Sequence, residues 1–277
     1  HLNSVTYNIP AHLLESYQGR QLIVRSDNPY ELVIYLSRAN SENVLYAQLT
    51  SPEAELEPLL TWPSALPVDV LVRNPAVEYP LLYNFSKLLD KHPIRISISV
   101  KNGFLKAVRL ALALGFSVKL EVGQPDASLI AEMAEVLDLY LHRSAVSQPV
   151  EYFHSTLLSF FNHTQPANLW FVQEEDPEQF RFITNEGVET VSPRFGGIDW
   201  KELKKILAAQ QTGSTLSKKT ECDGCEFLKP CGGYFKWPDK DFDCEGVKSL
   251  FSDLRLAAEE LRTDLASFRE LQGGVPA

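Results

Sequence analysis

Long hydrophobic runs are missing from this chain of 277 residues. A helix that crosses a membrane needs about 20 consecutive apolar residues, so we predict no transmembrane segment and no membrane partner. A charged start followed by an apolar stretch is also missing, which argues against a secretory leader. We therefore expect a cytoplasmic protein.

Positive charge is scarce as well. The chain has 26 Lys and Arg residues against 36 Asp and Glu residues, which gives a formal net charge of −10 at pH 7. Proteins that bind nucleic acid through general electrostatics carry an excess of positive charge, so we expect no nucleic-acid partner. The length and the hydrophobic share of 44% fit one large domain, or one large domain with a small satellite.

Common catalytic motifs are absent too. The sequence contains no phosphate-binding Walker motif, no G-x-S-x-G and no H-E-x-x-H, and its six histidines show no metal-ligand spacing. A hydrolase or isomerase that uses the open end of a barrel therefore has no identifiable catalytic residues here. The acidic run from Glu174 to Asp176 predicts a solvated turn.

Cysteine is the scarce residue that carries chemistry. All four cysteines lie within 23 residues, in the pattern C-x2-C-x5-C-x12-C: Cys222, Cys225, Cys231 and Cys244. Four thiolates so close together suit one zinc ion or one iron–sulfur cluster. Two disulfides are the alternative, but clustered cysteines in a cytosolic protein more often bind metal.

The residues around the cysteines fit such a centre. Gly224 can take the positive φ that a C-x2-C turn often needs. Gly232 and Gly233 let the backbone approach the sulfurs, where free N–H groups can hydrogen-bond to them. The aromatic residues Tyr234, Phe235 and Trp237 are predicted to shield the centre from solvent. Three lysines nearby in sequence would offset its negative charge: Lys219, Lys229 and Lys236.

Secondary structure is read from the spacing of apolar residues. Strands are predicted at Gln21–Arg25, Glu31–Leu36, Val44–Leu49, Val68–Val72, Ile94–Val100, Ser117–Val122, Val150–Phe153, Leu169–Gln173, Phe180–Thr184 and Val188–Val191. Helices are predicted from Ser51 onward and at Glu78–Lys91, Phe104–Leu114, Asp126–Arg143, Ser155–Asn162, Trp200–Gln211 and Gly246–Leu271. Repeated strand–helix units indicate a parallel α/β fold, either a barrel fragment or a doubly wound sheet.

The cysteine segment resembles the C-terminal SPASM domain of radical SAM enzymes that modify peptides. In that family a C-x2-C-x5-C-x3-C run is followed by one further cysteine. The first three cysteines of the run and the last one hold the outer auxiliary [4Fe–4S] cluster. By this resemblance, Cys222, Cys225, Cys231 and Cys244 are the four ligands of one [4Fe–4S] cluster, and the fold is a partial (β/α) TIM-like barrel of radical SAM type.

The chain departs from the family pattern at the inner auxiliary cluster. The fourth cysteine of the run would fall at position 235, where this chain has Phe235. An upstream G-x4-C of the family corresponds to Gly187 followed by Ser192. The resemblance therefore implies that the inner cluster has been lost, with Phe235 filling its place.

A second departure concerns the radical chemistry itself. Radical SAM enzymes carry C-x3-C-x-x-C after the first barrel strand, but no cysteine precedes Cys222 here. Several strand-like segments precede the middle of the chain, so we expect no such triad ahead of His1. Gly103 and Gly123 lack the acidic neighbours of a loop that binds S-adenosylmethionine, so binding of that cofactor is not expected.

Together these features predict a degenerate, pseudo-radical-SAM protein without independent catalysis. Residues 1–165 would form the partial barrel, and residues 166–277 a hairpin, a SPASM-like cluster domain and a C-terminal helix. The expected role is accessory to an active radical SAM enzyme, through binding of a precursor peptide, docking of the enzyme or relay of an electron. The alternative is a zinc-stapled structural or interaction domain without a redox role.

Overall fold

A computed structural model describes residues 5–38, 41–143, 147–162, 168–196, 205 and 221–273. Within them, nine strands form one sheet. The strands are β1 (Thr6–Pro10), β2 (Gln21–Ser26), β3 (Val44–Leu49), β4 (Val68–Val72), β5 (Ile94–Ser99), β6 (Ser117–Glu121), β7 (Val150–Glu151), β8 (Phe180–Ile183) and β9 (Glu189–Thr190). The predicted α/β class is confirmed.

The strand order runs in one direction along the chain. From one edge the order is β7-β6-β5-β4-β3-β2-β1-β8-β9, and every pair is parallel except β8 with β9. A doubly wound sheet reverses its order at a switch point, and this sheet does not reverse between β1 and β7. Right-handed crossovers in one direction place the helices on one face, so the topology is compatible with a partial β/α barrel.

The helices are α1 (Pro29–Arg38), α2 (Glu57–Thr61), α3 (Pro75–Glu78), α4 (Leu82–Phe85), α5 (Phe104–Ala113), α6 (Ala127–His142), α7 (Phe153–Asn162) and α8 (Leu169–Val172). A short helix (Leu228–Cys231) and the long C-terminal helix (Glu245–Gly273) follow. None of the helices in the described part of the chain combines the length and the apolar character needed to span a bilayer.

Sequence patterns locate the regular helices well. The predicted cap of α6 is confirmed, because the Asp126 carboxylate accepts hydrogen bonds from the backbone N–H groups of Ser128 and Leu129. Helix α5 ends just before Gly115, whose φ of +85° suits the residue after a helix. Of the helix predicted at Trp200–Gln211, all but residue 205 lies outside the described residues.

Two predicted strands are helices instead. Glu31–Leu36 belongs to α1, which buries Leu32 and Leu36 one turn apart, while the Asn28 side chain accepts from the N–H of Tyr30 at its start. The Leu169–Gln173 strand is wrong for a similar reason: Asn168 caps α8 through the N–H of Phe171. In both cases a side-chain cap marks the start of a helix that the apolar pattern alone does not distinguish from a strand.

One further helix prediction is only partly correct, and another is wrong. The segment Glu78–Lys91 is a series of short α and 3-10 turns, because Pro80 has no N–H to donate. No helix opens at Ser51, whose hydroxyl instead accepts from the N–H of Glu53 in a turn. The predicted hairpin is formed by β8 and β9, which pair antiparallel. Strand β8 also pairs with β1 in parallel, so the hairpin is part of the main sheet.

The C-terminal helix packs on the body of the protein through its first half. An apolar stripe along this helix begins with five buried residues: Val247, Leu250, Phe251, Leu254 and Ala258. The same stripe then becomes solvent-exposed, with Leu261, Leu265 and Phe268 at 43%, 45% and 55% exposure. The helix contacts α6 and α7, which follow β6 and β7, and so joins the cysteine segment to one edge of the sheet.

Candidate metal centre

The four predicted ligand side chains lie around one cavity. Cys222 and Cys225 come from a turn, Cys231 ends the short helix, and Cys244 immediately precedes the C-terminal helix. All four are free thiols, and Cys244 is buried while the other three are half-buried. The cysteines that cluster in sequence therefore also share one cavity, although its occupation by a metal stays a prediction.

Backbone geometry produces this convergence. The N–H of Cys225 donates to the carbonyl oxygen of Cys222 at 3.1 Å, which closes the turn around Gly224. The φ of Gly224 is +83°, as the sequence predicts, and such a backbone favours glycine. Gly232 follows Cys231 at φ +62°, and a Cβ atom there would lie 3.1 Å from the Trp170 ring.

Backbone amides lie close to one of the sulfurs. The N–H groups of Gly233, Tyr234 and Phe235 favour the thiolate of Cys231 and so lower its pKa. Burial has the larger effect and raises the pKa of Cys231 to about 11. Amides so placed would stabilise a bound thiolate or sulfide, and their hydrogen bonds to the sulfurs stay a prediction.

Burial also raises the pKa of two further thiols. It raises the pKa of Cys244 to about 11 and raises the pKa of Cys222, while the positive charge of Lys236 opposes both shifts. The three thiols are therefore protonated at neutral pH in the metal-free protein. Binding of a metal would release these protons, so affinity for the metal should increase with pH.

The charge beside the cysteines comes from a triad that the sequence only partly predicted. Lys236 and Lys248 both pair with Glu221, at 2.6 and 2.5 Å, and all three side chains line the cavity. Of the predicted lysines, Lys229 does not line it, and Lys219 is outside the described residues. Lys248 was missed because it lies on the C-terminal helix, beyond the cysteine pattern.

The aromatic shield differs from the prediction in two of its three members. Phe235 is fully buried, lines the cavity and stacks on Phe242. Tyr234 instead donates to the carbonyl oxygen of Val122 and to Glu175, and Trp237 donates to the carbonyl oxygen of Arg194. These two rings therefore attach the cysteine segment to the sheet and do not cover the thiols.

A buried tyrosine hydroxyl lies within electrostatic range of Cys231. Tyr152 has a fully buried hydroxyl with no hydrogen-bond partner among the described residues, and the Cys231 charge contributes to raising its pKa after burial itself. Tyr152 is not among the residues that line the cysteine cavity, and no sequence pattern predicts its buried hydroxyl.

The cysteines are not gathered around a single point. Among the described residues, no group of three or more His, Cys, Asp or Glu side chains is arranged to hold one metal ion. Four thiolates on one zinc ion would lie about 3.8 Å apart, as tetrahedral geometry with Zn–S bonds of about 2.3 Å requires. The cavity that the cysteines share is small, at about 20 Å³.

A second site, which the sequence analysis missed, lies on the other face of the sheet. Alternate residues of the strands turn away from the helices and line a polar cleft of about 750 Å³. Buried polar side chains mark this face: Asn8, Gln48, Asp69, Ser97, Ser99 and Lys119. The polar alternation in the segments IRISIS and SVKLE was the available signal.

An ionic network crosses this face. Glu174 accepts from Lys119 at 2.6 Å, from Arg95 at 3.0 Å and from the Tyr46 hydroxyl at 2.8 Å, while Arg95 also pairs with Asp69. Burial alone would raise the pKa of Glu174, but Lys119 and Arg95 outweigh it and hold that pKa well below its usual range. The prediction of a solvated turn at Glu174 is therefore wrong.

Comparison of the chain with models of known protein families, with curated proteins and with solved structures gives no match. The resemblance to radical SAM/SPASM enzymes thus rests on the cysteine spacing. The division at residue 165 stays a prediction, and β8, from the second of its two parts, hydrogen-bonds to β1 in the first.

Proposed function

We propose that this chain holds one [4Fe–4S] cluster on Cys222, Cys225, Cys231 and Cys244. The observation that carries the proposal is the one cavity that all four thiols line. A cubane cluster carries its irons at separate corners, so its ligands ring a larger body than a single ion. Among the described residues no group is arranged to hold a metal ion, so the proposal rests on the shared cavity and on the cysteine spacing.

The surrounding residues support such a centre. Phe227, Phe235 and Phe251 supply apolar walls, and Lys236 and Lys248 supply positive charge beside the thiolates. When bound, a [4Fe–4S] cluster supplies one-electron transfer or a structural cross-link. The chain's own residues would limit solvent access, balance charge and donate hydrogen bonds to sulfur.

We further propose that the protein is an accessory to an active radical SAM enzyme that modifies a ribosomal peptide or a protein. The support is the retained outer-cluster pattern, the missing C-x3-C-x-x-C and a sheet compatible with a partial barrel. Its partners would be the precursor peptide, the active enzyme or both. We propose that it has no independent catalysis and does not use S-adenosylmethionine.

Zinc is the second candidate, and one observation favours it. A cavity of about 20 Å³ has room for little more than one water molecule, which is closer to the size of a single ion than to that of a four-iron cluster. In that case the cysteine segment is a structural or interaction module, and the four thiolates stabilise it without redox chemistry.

Anaerobic reconstitution separates the two candidates. The wild-type protein should be brown and should hold about four irons and four sulfides per chain, with an electron paramagnetic resonance signal after reduction. Cys231→Ser should lower the iron content, whereas Lys240→Gln, a change at an exposed residue between Cys231 and Cys244, should not. A colourless protein with one tightly held zinc and fewer than about two irons would end the iron–sulfur proposal.

The accessory role is tested separately. The reconstituted protein, given S-adenosylmethionine and dithionite, should produce no 5′-deoxyadenosine, and formation of that product would contradict the pseudoenzyme. Neighbouring genes should encode a short precursor peptide and an intact radical SAM enzyme. A neighbourhood without either would argue against the accessory role while leaving the metal proposal in place.

A further inference from the structure

The polar cleft has a charge balance opposite to that of the whole chain. Five basic residues line it: Arg25, Arg73, Lys101, Lys119 and Arg194. Three acidic residues line it: Glu121, Glu174 and Glu175. The chain as a whole carries a net charge of −10, so a positive cleft is a local feature of this face. Fields of this kind concentrate anions at a site.

Internal pairing removes part of this positive charge but not all of it. Lys119 pairs with Glu174 at 2.6 Å, and Arg194 lies 3.6 Å from Glu175. Glu121 accepts from the Ser99 hydroxyl, and burial raises the pKa of Glu121 although Lys119 lowers it. The arginines of the cleft without a carboxylate partner among the described residues are Arg25 and Arg73.

Arg25 is held rigidly. Its Nη1 donates at 2.7 Å to both the carbonyl oxygen and the side-chain oxygen of Asn8, and its Nη2 donates to the carbonyl oxygen of Ile183. A guanidinium has five N–H donors, so two remain for a ligand. Burial lowers the pKa of Arg25 and the nearby charge of Arg73 lowers it further, which is the effect an anion between them would relieve.

Arg73 approaches the same place from the end of β4. Its side chain is exposed and makes no hydrogen bond or ion pair within the described part of the chain. Both arginines also line a smaller cavity beside the cleft, together with Asp27, Glu31 and Glu186. Of the described carboxylates, none of these three lies within 4.0 Å of either guanidinium.

The rest of the cleft is suited to the body of an organic molecule. Ile23, Leu71, Phe180 and Phe182 give it apolar walls next to the arginines. A volume of about 750 Å³ lies within the range of small-molecule sites, about 300–1,000 Å³. The site is also at the end of parallel strands, where ligands of α/β proteins commonly bind.

We propose that the polar cleft binds a small organic anion, whose carboxylate or phosphate group is held between Arg25 and Arg73 while its apolar part lies on Ile23, Leu71 and Phe180. This site is independent of the cysteines and goes beyond the proposed accessory function. Planar guanidinium groups match both head groups, because each offers parallel N–H donors to two oxygens.

Isothermal titration calorimetry on the full chain tests the proposal. The probes are benzoate and phenyl phosphate, which share an apolar ring and differ in head group, with phenol and sodium chloride as controls. At least one anionic probe should bind saturably, and the tighter one identifies the head group. Arg73→Gln should weaken that binding about tenfold, the loss expected for one charge-assisted contact. Arg109→Gln, which removes the same charge from the outer surface, should leave it unchanged.

Two outcomes would overturn the proposal. One is the absence of saturable heat with both anions. The other is equal affinity of the wild-type protein and Arg73→Gln, with both folded by circular dichroism. Because Arg73 is exposed and unpaired among the described residues, its replacement should not disturb the fold. Metal content is measured alongside, so failure of this site and failure of the cysteine site are read separately.

Discussion

Replacement of Glu174 by Gln should strongly destabilise the protein. The carboxylate joins the side chains of Lys119, Arg95 and Tyr46 across the polar face of the sheet. Side-chain exposure is only 5% for Lys119, 20% for Glu174 and 24% for Arg95. Glu174→Gln keeps the shape but leaves the buried Lys119 without its carboxylate partner, and Arg95 with Asp69 alone.

The expected cost is about 3–5 kcal/mol, the range for removing one partner of a buried ion pair. Glu135→Gln is the matched control, because it makes the same chemical change in the Arg109–Glu135 pair at 2.9 Å, where the two side chains are 53% and 55% exposed. Exposed pairs contribute about 0–1 kcal/mol, so the control should change stability little. Urea unfolding followed by circular dichroism measures both free energies of unfolding.

Acid provides a second readout. The pKa of Glu174 is lowered in the folded state, so its contribution to stability is present above the unfolded-state pKa of about 4.3 and is lost as pH falls below it. The difference between wild type and Glu174→Gln should therefore shrink between about pH 6 and pH 3. Equal stabilities of the Glu174 and Glu135 variants at neutral pH, or a gap that does not change in acid, would refute the reasoning.

Two other variants test the scaffold around the sites. Gly103→Ala and Gly115→Ala both place alanine at a φ near +86°, which costs about 1–2 kcal/mol, but only the first brings a Cβ within 2.6 Å of the Ala76 Cα. Its urea midpoint should fall further, by an additional cost of about 1–3 kcal/mol, and equal midpoints would contradict the contact. Arg194→Lys keeps the charge but loses the fork that donates to the carbonyl oxygen of Tyr234. Amide hydrogen exchange in residues 221–244 should accelerate while the central strands stay protected, and unchanged exchange would count against this anchor.

Local sequence signals succeeded where one short segment carries all the information. Strands β3 and β4 were predicted to the residue, because β-branched and apolar side chains fill them and turn residues flank them. The Asp126 cap and the positive φ of Gly224 were predicted for the same kind of reason: each depends on the backbone of its immediate neighbours.

Local signals failed where an element depends on distant partners. The apolar pattern of Glu31–Leu36 serves a strand or a helix, and burial of Leu32 and Leu36 against the rest of the protein selected the helix. No residue near Glu174 in the sequence predicts that Lys119 and Arg95 pair with this carboxylate and balance its charge. Acidic runs are usually solvated, so the general expectation was wrong at this position.

The sequence alone determined the candidate ligands, because cysteine clustering is a local pattern and thiolate chemistry belongs to the residue type. Only the tertiary structure decided what surrounds them. Lys248 and Tyr152 come from elements outside the cysteine run, and the polar cleft is assembled from side chains on several strands. Parallel strands that are distant along the chain place alternate side chains on one face, and chain folding alone brings these charges together.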